Sequence, residues 1–536
     1  MFPKLDDAQI VRLAAFGSQR QAEPGEILFD MGDASHGIFV VLAGRIEISS
    51  VANGKESVLR EMTRGEFTGE VAILSGRRSL GRCRALESSS LIEIGRPNLR
   101  QIMQTDATLG DTFLRAFVLR RVYLIAHSIG DAVLIGSSHS GDTLRLREFL
   151  TRNGHPHTYI DVEHDPGVQA VLDQFEVRVE EIPVLICSGH LVLRNPSNVE
   201  AAACFGLNAG IDEGEVYDLI AVGAGPSGLA AAVYGASEGL NVLVLETTAP
   251  GGQAGSSSRI ENYLGFPTGI SGLELANRAF VQAEKFGAQI AIARSARALK
   301  CDRPPYSIEL DDGGSVQGRS IVIAAGAQYR KLNLPNLAQF EGAGIYYGAT
   351  KVEAQLCGDV EVAVVGGGNS AGQAALYLTG SAKHVHLLVR GSGLADTMSR
   401  YLIARIEARQ DITLRPWTEI EALDGDTHLE HVRWRDTKTG ISETHDIQHV
   451  FLMTGANPNT AWLQGCLALD EKHFIKTGSD LGPEWPADRP PFLLETSVPG
   501  IFAVGDIRAG SVKRVASAVG EGSMAVQFIH KILAGF

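Results

Sequence analysis

The chain has 536 residues, enough for about three to five domains of ordinary size. Its 48 Lys and Arg against 62 Asp and Glu give a net charge of −14, which argues against a nucleic-acid or anionic-membrane surface along the whole chain. Hydrophobic residues at 44% and charged residues at 21% exclude wholesale disorder. Glycine, with 60 residues, is in excess, and we expect the surplus in tight turns and in loops that approach a ligand closely.

The six cysteines lie far apart, and the closest two, Cys187 and Cys204, are 17 positions apart. No CxxC motif is therefore present, which excludes a disulfide-rich scaffold and the commonest zinc and dithiol motifs, and no metal site is predicted. The first residues lack a basic segment followed by an apolar core, so no signal peptide is predicted. The charge-free run Leu219–Ser237 contains Pro226 and is interpreted as strand, turn and helix. We expect a soluble cytoplasmic protein with neither a membrane nor a nucleic acid as partner.

Residues 1–128 are predicted to form an antiparallel β-roll followed by helices. Short alternating runs such as GIFVVLA and RIEISS are separated by glycine-bearing turns, and apolar residues then recur at helical spacing over 97–127. The stretches EPGEILFDMGDASHGIFVVLAGRIEI and GEFTGEVAILSGRRS resemble the cyclic-nucleotide-binding fold of catabolite-activator-type proteins.

The resemblance implies a cassette in which a glutamate bonds the ribose and an arginine neutralises the cyclic phosphate. Gly69 and Glu70 match its first part, whereas Ser79 stands at the arginine position. We therefore expect cyclic-nucleotide binding to be weak or absent, unless Arg77 or Arg78 serves from a shifted loop. The alternative is a β-roll used for packing or for another ligand. No helix-turn-helix follows, which argues against a DNA-binding transcription factor.

Residues 131–210 are predicted to form a small α/β domain. Its runs predict strand, helix and strand, then a helix around 167–175 and a hairpin from IPVLICSG and HLVLRNPS. This order resembles glutaredoxin and thioredoxin, with Pro183 at the family's cis-proline position.

The redox motif of that family is degenerate in this chain. Ser138-His139-Ser140-Gly141 stands where the CxxC would follow the first strand, so we expect an interaction or spacer module rather than a redox relay. Cys187, in mid-strand, and Cys204, in a helix, are interpreted as buried packing residues.

The most informative motifs lie in residues 216–536. The strand YDLIAV leads into Gly223-Ala-Gly225-Pro-Ser-Gly228 and a helix, and a second strand ends at Glu246. A lone GxGxxG is weak evidence, but strand, helix, second strand and terminal acid together predict a Rossmann-like dinucleotide site. Gly223 makes the tight turn, Gly225 lets the backbone approach a pyrophosphate, and Gly228 lets helix and strand pack closely. Glu246 is placed to accept from ribose hydroxyls.

Three further motifs follow in order: PGGQ at 250–253, RIENYLGFP at 259–267, and TSVPGIFAVGDIRAG at 496–510 with KRVA after it. Across the whole of 216–536 they closely resemble the low-molecular-weight thioredoxin reductase family, and the resemblance implies bound FAD and a homodimer. It also implies further FAD-binding residues, which are Gly252, Gln253 and Asn262 beside the isoalloxazine, Gly505 and Asp506 at the ribitol, and Arg514 and Val515 as backbone donors to the pyrimidine end.

A second glycine loop, within EVAVVGGGNSA, again joins a strand to a helix. It predicts a nicotinamide-nucleotide site formed by Gly366, Gly368, Asn369, Ser370 and Ala371.

The nucleotide preference is inferred from the end of the next strand, HVHLLV. Arg390 stands there in place of the acidic residue expected for NADH, and an arginine can pair with the 2′-phosphate of NADPH. NADPH is therefore the predicted nucleotide, with NADH as the alternative if Arg390 is an ordinary surface charge. The basic cluster of the reductase family is denser, and Arg400 could compensate here.

The predicted fold class is multidomain: an N-terminal β-roll with helices, a thioredoxin-like α/β domain, and two Rossmann-like three-layer domains that bind FAD and NAD(P). The nicotinamide domain, 335–457, is inserted into the FAD domain and splits it into 216–334 and 458–536.

The reductase family's catalytic CxxC should lie just before the second glycine loop. Gly348 and Lys351 stand at its two cysteine positions, so the path from flavin to dithiol to thioredoxin is broken and no catalytic side chain is assigned. Cys357 is alone, and is either a reactive thiol or a structural cysteine. Lys351 either lies near the flavin or is a surface lysine.

Reductases of this fold without the dithiol form a known class, which includes ferredoxin- or flavodoxin-reducing enzymes and reductases of small disulfides. We therefore predict an NAD(P)H-dependent flavin oxidoreductase that is regulated by its N-terminal domain. The electrons pass to an external acceptor, either a ferredoxin- or flavodoxin-like protein or a small molecule. The alternative is a flavin-bearing regulatory or scaffold protein with little turnover.

Overall fold

A computed structural model describes the chain except for residues 34–36, 53–54, 71, 76, 128, 131, 164, 166–177, 179–180, 188–190, 208–213, 464 and 536. The helix predicted around 167–175 lies outside the described residues. Among the described residues, no helix is long and apolar enough to cross a bilayer. In that same part of the chain, no three His, Cys, Asp or Glu side chains are grouped so that they could hold a metal ion.

The N-terminal domain is a β-roll of two antiparallel sheets, as predicted. One sheet has the order β1–β7–β3 and the other β2–β6–β4–β5. The strands are β1 (Ser18–Ala22), β2 (Ile27–Phe29), β3 (Gly37–Ala43), β4 (Ile46–Ala52), β5 (Lys55–Met62), β6 (Arg82–Ala85) and β7 (Ser89–Gly95). The helices are α1 (Asp7–Ala14), α2 (Ala72–Ser75), α3 (Arg96–Thr105) and α4 (Ala107–Ala126). Phe67, Phe113 and Phe117 are fully buried where α4 packs against the roll.

The second domain has one four-stranded sheet with the order β11–β10–β8–β9, in which β8 and β9 are parallel and β10 is antiparallel to β8 and β11. Its elements are β8 (Ala132–Gly136), α5 (Gly141–Arg152), β9 (His157–Asp161), β10 (Val184–Cys187), β11 (Leu191–Arg194) and α6 (Asn198–Cys204). The predicted strand–helix–strand and hairpin are present, and the Ile182–Pro183 peptide is cis. The resemblance to glutaredoxin itself stays a prediction.

The third domain is built on a mixed sheet with the order β14–β13–β12–β17–β16–β15, in which β28 also pairs with β17. Its strands are β12 (Val216–Val222), β13 (Val242–Glu246), β14 (Gln289–Ile292), β15 (Ala296–Lys300), β16 (Tyr306–Leu310), β17 (Ser315–Ile323) and β28 (Ile501–Ala503). Its helices are α7 (Pro226–Ser237), α8 (Gly252–Gly255), α9 (Gly272–Phe286) and α14 (Val515–Leu533). Strands β12, β13 and β17 are parallel, so the loops after β12 and β13 lie at one edge of the sheet.

The fourth domain has a parallel sheet with the order β19–β26–β20–β21–β22, beside a smaller antiparallel sheet of β23, β24 and β25. Its strands are β19 (Ile345–Tyr346), β20 (Glu361–Val365), β21 (His384–Leu388), β22 (Ile412–Arg415), β23 (Thr418–Asp424), β24 (His431–Asp436), β25 (Ser442–His445) and β26 (His449–Leu452). Its helices are α10 (Leu337–Phe340), α11 (Lys351–Leu356), α12 (Asn369–Leu378) and α13 (Arg400–Glu407). A short antiparallel ribbon of β18 (Ala327–Tyr329) and β27 (Ala456–Pro458) connects it to the third domain.

Two disulfides correct the sequence analysis. Cys187 on β10 is bonded to Cys204 on α6, and Cys301 is bonded to Cys466 within the third domain. The interpretation of Cys187 and Cys204 as unbonded packing residues was therefore wrong, because the packing of α6 on the sheet brings their Cα atoms within 6.4 Å. Both side chains are nevertheless buried, as expected.

The contact between α7 and α14 leaves no room for a side chain at one position. A Cβ on Gly522 would lie 2.2 Å from the carbonyl oxygen of Ser227, whereas a Cβ on Gly520, in the same helix, would meet nothing within 4 Å. We therefore expect Gly522→Ala to lower the free energy of unfolding by about 1–3 kcal/mol through overpacking. Gly520→Ala is the control and should raise stability slightly, since alanine favours helix. Thermal unfolding of the two variants checks this, and equal midpoints would contradict it.

Candidate functional site

The first glycine loop, between β12 and α7, is shaped by two glycines and left open by a third. Gly223 has φ 105°, and a Cβ there would lie 2.4 Å from the carbonyl oxygen of Ala324. A Cβ on Gly228 would lie 1.8 Å from the carbonyl oxygen of Gly223. A Cβ on Gly225 would meet no atom within 4 Å, so its outer side is free for a ligand. The approach of a pyrophosphate at Gly225 stays a prediction.

Glu246, at the end of β13, accepts hydrogen bonds from the backbone of this loop and of the segment after β13. Its Oε2 accepts from the backbone N–H of Ala224 at 2.8 Å, and its Oε1 accepts from those of Thr248 at 2.9 Å and Ala249 at 3.1 Å. The residue is only 7% exposed. The sequence analysis missed this loop-holding role. The predicted bond from Glu246 to a ribose hydroxyl stays a prediction.

Asp506 lies against the start of α7. A Cβ on its neighbour Gly505, which has φ 75°, would lie 2.7 Å from Ser227 Oγ, and the Gly505 N–H donates to Glu521 Oε2 at 2.6 Å. Burial raises the pKa of Asp506, while Lys513 acts in the opposite direction. No hydrogen bond reaches the Asp506 carboxylate from the described residues, so it is an acceptor-rich group available to a ligand hydroxyl.

The N-terminus of α14 adds unpaired donors to this site. Arg514 is the residue before the helix, Val515 is its first residue, and no side chain caps the first turn. The first backbone N–H groups of a helix lack intrahelical partners and favour acceptors or anions. The contact of Arg514 and Val515 with the pyrimidine end of the flavin stays a prediction.

Gly252 and Gln253 lie beside the first glycine loop. Gly252 has φ 54°, and a Cβ there would lie 3.1 Å from Gly225 Cα, so the two loops touch. Gln253 Nε2 donates to the carbonyl oxygen of Ala327 on β18. Asn262 is exposed in the loop that follows.

The second glycine loop, between β20 and α12, repeats the first. A Cβ on Gly366, which has φ 144°, would lie 2.4 Å from the carbonyl oxygen of Met453, whereas a Cβ on Gly368 would meet nothing within 4 Å. Asn369 Oδ1 accepts from the N–H of Ser399 at 2.7 Å, and Ala371 is buried in the domain core. The loop is therefore closed on its inner side and open on its outer side.

Arg390 lies two residues beyond β21, is exposed, and makes no ion pair with any described residue. Arg400 is the first residue of α13 and is also exposed. Both guanidinium groups are therefore open to solvent and without an ion pair among the described residues.

Tyr329 lies in the ribbon that joins the domains of the two glycine loops. No local residue pattern predicts a role for this tyrosine. Tyr329 on β18 interacts with Ser370 at the start of α12 and with the charge of Asp506. Burial raises the pKa of the Tyr329 phenol, so the group stays neutral at ordinary pH. The nicotinamide loop and the carboxylate predicted at the ribitol are thus neighbours.

The segment Gly348–Lys351 lies beside the loop after α8, since a Cβ on Gly348 would lie 3.7 Å from Ser256 Cβ. Lys351 is exposed at the first position of α11. Cys357 is fully buried, its Sγ donates to the Glu353 carbonyl oxygen at 3.3 Å, and burial raises its pKa to about 12. A thiol that stays protonated is not a nucleophile, which favours the structural alternative for Cys357.

In the N-terminal domain, two arginines of α4 contact the segment that resembles a cyclic-nucleotide-binding cassette. Arg121 Nη1 on α4 reaches Glu70 Oε2 at 3.4 Å, and Arg120 Nη1 donates to the Gly69 carbonyl oxygen at 2.7 Å. The carboxylate that would bond the ribose therefore already has a cationic partner.

The two arginines considered as substitutes contact other domains. Arg77 is 7% exposed, stacks over the Phe280 ring at 4.9 Å and points Nη1 to the Asn153 carbonyl oxygen at 3.5 Å. The Arg78 side chain lies against Gly206 in the second domain. The structure therefore does not place either one as a substitute in the cassette.

Two open glycine loops on adjoining domains, with Asp506 and Tyr329 between them, are the architecture of a flavoprotein reductase that binds two dinucleotides. Residues 217–522 match the family described as pyridine nucleotide-disulphide oxidoreductase, and residues 19–106 match the family described as cyclic nucleotide-binding domain. The chain belongs to the pyridine nucleotide-disulphide oxidoreductase family, in its thioredoxin reductase-like branch, which uses FAD and NADPH. The predicted family resemblance and both predicted cofactors are confirmed at this level, and the roles of single residues stay predictions.

Relatives and solved structures match the reductase part of the chain. It is 33% identical over 321 residues to thioredoxin reductase of Bacillus subtilis, covering 60% of this chain and 96% of the relative. It is 34% identical over 310 residues to thioredoxin reductase of Treponema pallidum, covering 58% of this chain and 94% of the relative. The structure of Lactococcus lactis thioredoxin reductase in its FR conformation matches at 28% identity and TM-score 0.54, covering 60% of this chain and 100% of that one.

We expect Gly225→Val to abolish FAD binding, because the side chain would fill the space into which a Gly225 Cβ points. Gly358→Val, at an exposed turn with nothing within 4 Å, is the control and should keep its flavin. The absorbance of bound flavin per chain, after purification, checks both. A folded Gly225→Val protein with full flavin content would refute the assignment of this loop.

We expect cyclic AMP and cyclic GMP to bind weakly or not at all. Ser79 offers no guanidinium to the cyclic phosphate, and an anion desolvated without a charge partner is costly. Isothermal titration calorimetry should show no saturable heat at micromolar nucleotide. Micromolar affinity lost in Arg121→Ala would contradict this and identify Arg121 as the missing phosphate partner.

Proposed function

We propose that the protein transfers hydride from NADPH to FAD and passes the electrons from the flavin to an external acceptor, without a protein dithiol. The observation that supports this best is that the two glycine loops are open at Gly225 and Gly368 and lie on domains joined by the ribbon of β18 and β27, which carries Tyr329. Bound FAD supplies a two-electron acceptor for hydride.

The residues of this chain bind and orient the two nucleotides. The open side of Gly225 and the unpaired N–H groups at the start of α7 receive one pyrophosphate, and those at the start of α12 receive the other. The Asp506 carboxylate accepts from hydroxyl groups of the flavin chain, and the N–H groups that follow Arg514 donate to the pyrimidine end. Glu246 keeps the first loop in shape through three backbone N–H groups.

The absence of a dithiol at the flavin is supported by the sequence itself. Gly348 and Lys351 occupy its two positions, and neither can form a mixed disulfide. The remaining thiol of that domain, Cys357, is buried, with a pKa raised to about 12. The flavin therefore reduces its acceptor directly, and that acceptor is a ferredoxin- or flavodoxin-like protein or a small molecule.

Regulation by the N-terminal domain is part of the proposal. Helices α2 and α3 of that domain pack against α9, which also packs on α8 of the flavin site, and the charge of Glu284 on α9 acts on Arg77, Arg96 and Arg100. Burial lowers the pKa of each arginine, and the Glu284 carboxylate opposes that shift. A ligand that moves this domain would therefore act on the flavin loop through α9.

The second candidate function is a flavin-bearing regulatory or scaffold protein with little turnover. The packing of α2 and α3 on α9 favours it, because it joins a sensor-like domain to the flavin domain without any catalytic group. By resemblance to the reductase family, we further propose a cytoplasmic homodimer that associates through the reductase domains.

Anaerobic rapid mixing of the FAD-loaded protein with NADPH tests the proposal. We expect complete bleaching of the flavin at a rate of at least about 1 per second, the low end of ordinary enzyme turnover. Absent or very slow bleaching, with FAD bound, would favour the scaffold alternative.

Arg390→Ala should raise the KM for NADPH about tenfold or more and leave that for NADH nearly unchanged, because the arginine meets only the 2′-phosphate. Steady-state assays with each nucleotide and an artificial acceptor check this. Equal effects on the two nucleotides would point to a structural role, and no effect on either would leave Arg390 as a surface charge.

Thioredoxin should not be reduced with NADPH, because no thiolate lies in the segment Gly348–Lys351. A coupled assay with NADPH, thioredoxin and a chromogenic disulfide that reduced thioredoxin cleaves checks this on the wild type and on Cys357→Ser. Robust thioredoxin-dependent turnover by both proteins would contradict the direct transfer from flavin.

A further inference from the structure

One edge of the second domain lies against the nicotinamide domain. In the loop after β8, the centre of the His139 ring lies 5.4 Å from that of His428. A Cβ on Gly141, the first residue of α5, would lie 3.0 Å from the carbonyl oxygen of Glu341, so the two backbones touch. This loop is the segment in which the resemblance to glutaredoxin places a redox motif. The edge that would carry thiol chemistry is therefore in contact with the nicotinamide domain instead.

Helix α5 continues this contact. Leu144 is 9% exposed and lies in the apolar cluster that includes Val352 on α11, and Arg147 Nη2 donates to Gln355 Oε1 at 2.5 Å. The two helices pack against each other. Residues three apart lie on the same side of a helix, so Gly141, Leu144 and Arg147 present one face of α5 to the nicotinamide domain.

The other end of α5 contacts the flavin domain. Arg152 Nη2 donates to the Gly252 carbonyl oxygen at 2.9 Å, and Asn153 Nδ2 donates to the Thr248 carbonyl oxygen at 3.0 Å. Both acceptors follow β13, beside the first glycine loop. The second domain also shares an apolar core with Phe280 on α9. A domain that is fixed on the flavin domain therefore also contacts the nicotinamide domain.

Two direct connections between the nicotinamide and flavin domains are weak constraints on their own. The ribbon of β18 and β27 has three residues per strand. Arg405 Nη1 on α13 pairs with Glu261 Oε2 at 2.5 Å, but the Arg405 side chain is 55% exposed. An exposed ion pair contributes little, whereas burial of a leucine side chain contributes more. The contact of Leu144 therefore constrains the nicotinamide domain more than this ion pair does.

We propose that the second domain holds the nicotinamide domain at the flavin loop, and that Leu144 and Arg147 are positioning residues for hydride transfer. The inference rests on the proposed function, since it concerns how the two nucleotides are brought together. Hydride transfer requires the reacting atoms to be close and aligned, so its rate follows the fraction of chains in which the nicotinamide domain is docked. The edge of the second domain that lacks a redox motif thus acts by binding another domain of the same chain.

The distance between the two domains tests the docking. Spin labels on Ser315→Cys in the flavin domain and Lys383→Cys in the nicotinamide domain, both exposed positions, report it by double electron–electron resonance in the FAD-loaded protein. The free cysteines of the described residues, Cys83 and Cys357, are buried and should not take up label. We expect one narrow distance in the otherwise wild-type protein and a broad distribution in Leu144→Asp, since an unpaired buried carboxylate is costly.

A conservative variant and the helix itself keep this comparison fair. Leu144→Met preserves the apolar contact and should restore the narrow distance. Aspartate is favourable near the N-terminus of a helix, so Leu144→Asp should disturb the contact and not α5.

The rate of flavin reduction by NADPH tests the positioning role. Leu144→Asp should lower the rate at saturating NADPH about tenfold or more. Flavin content and the dissociation constant of NADPH should stay unchanged, because both glycine loops are intact. Arg147→Ala should lower the same rate about two- to tenfold, the effect of one lost hydrogen bond. Arg145→Ala is the matched control and should behave as wild type, since Arg145 donates to Asn198 and Pro196 within the second domain.

An unchanged, narrow distance in Leu144→Asp overturns the proposal, and so does a rate of flavin reduction that is unchanged or higher. If Leu144→Asp does not fold, equal rates in Arg147→Ala and Arg145→Ala overturn it. Failure of the proposed function is a separate outcome. A wild-type protein that binds FAD but is not reduced by NADPH would refute that function, while the distance between the spin labels would still test the docking.

Discussion

The flavin half of the molecule depends on the close contact between α7 and α14, where Gly522 leaves room only for a hydrogen atom. That contact brings Gly505 against Ser227, and so places Asp506 beside the first glycine loop. Glu521 precedes Gly522 on α14, and its carboxylate accepts from both the Gly505 N–H and the Arg508 guanidinium. The helix that starts at Val515 therefore also fixes the position of the Asp506 carboxylate, which is predicted to contact the same ligand.

Both N-terminal domains pack against the flavin domain. The second domain shares an apolar core with the flavin domain through Phe280 and Ile292. The first domain places Arg77 over the same Phe280 ring, and the charge of Glu284 acts on Arg96 and Arg100 of that domain. These contacts converge on α9, the helix that packs on α8 beside the first glycine loop.

Much of the fold and site could be predicted, because the signals are local. Each glycine of the two loops is needed by a turn or a helix contact a few residues away, so spacing revealed Gly223, Gly228 and Gly366. The loop-holding role of Glu246, the bridge by Tyr329 and the Cys301–Cys466 bond could not be predicted. They depend on tertiary contacts or on hydrogen bonds that no residue pattern records. Cys187 was misjudged for the same reason, since its partner lies on another element.

The central claim is that the flavin is the last redox group of the protein before its acceptor. Anaerobic titration of the FAD-loaded protein with NADPH tests this directly, by counting the reducing equivalents that each chain takes up. Both disulfides lie in the second and third domains, away from the Gly348–Lys351 segment. The account predicts an end point at about one NADPH per FAD, the capacity of the flavin alone. An end point near two, with new free thiols appearing in step, would show a disulfide in the electron path and contradict it.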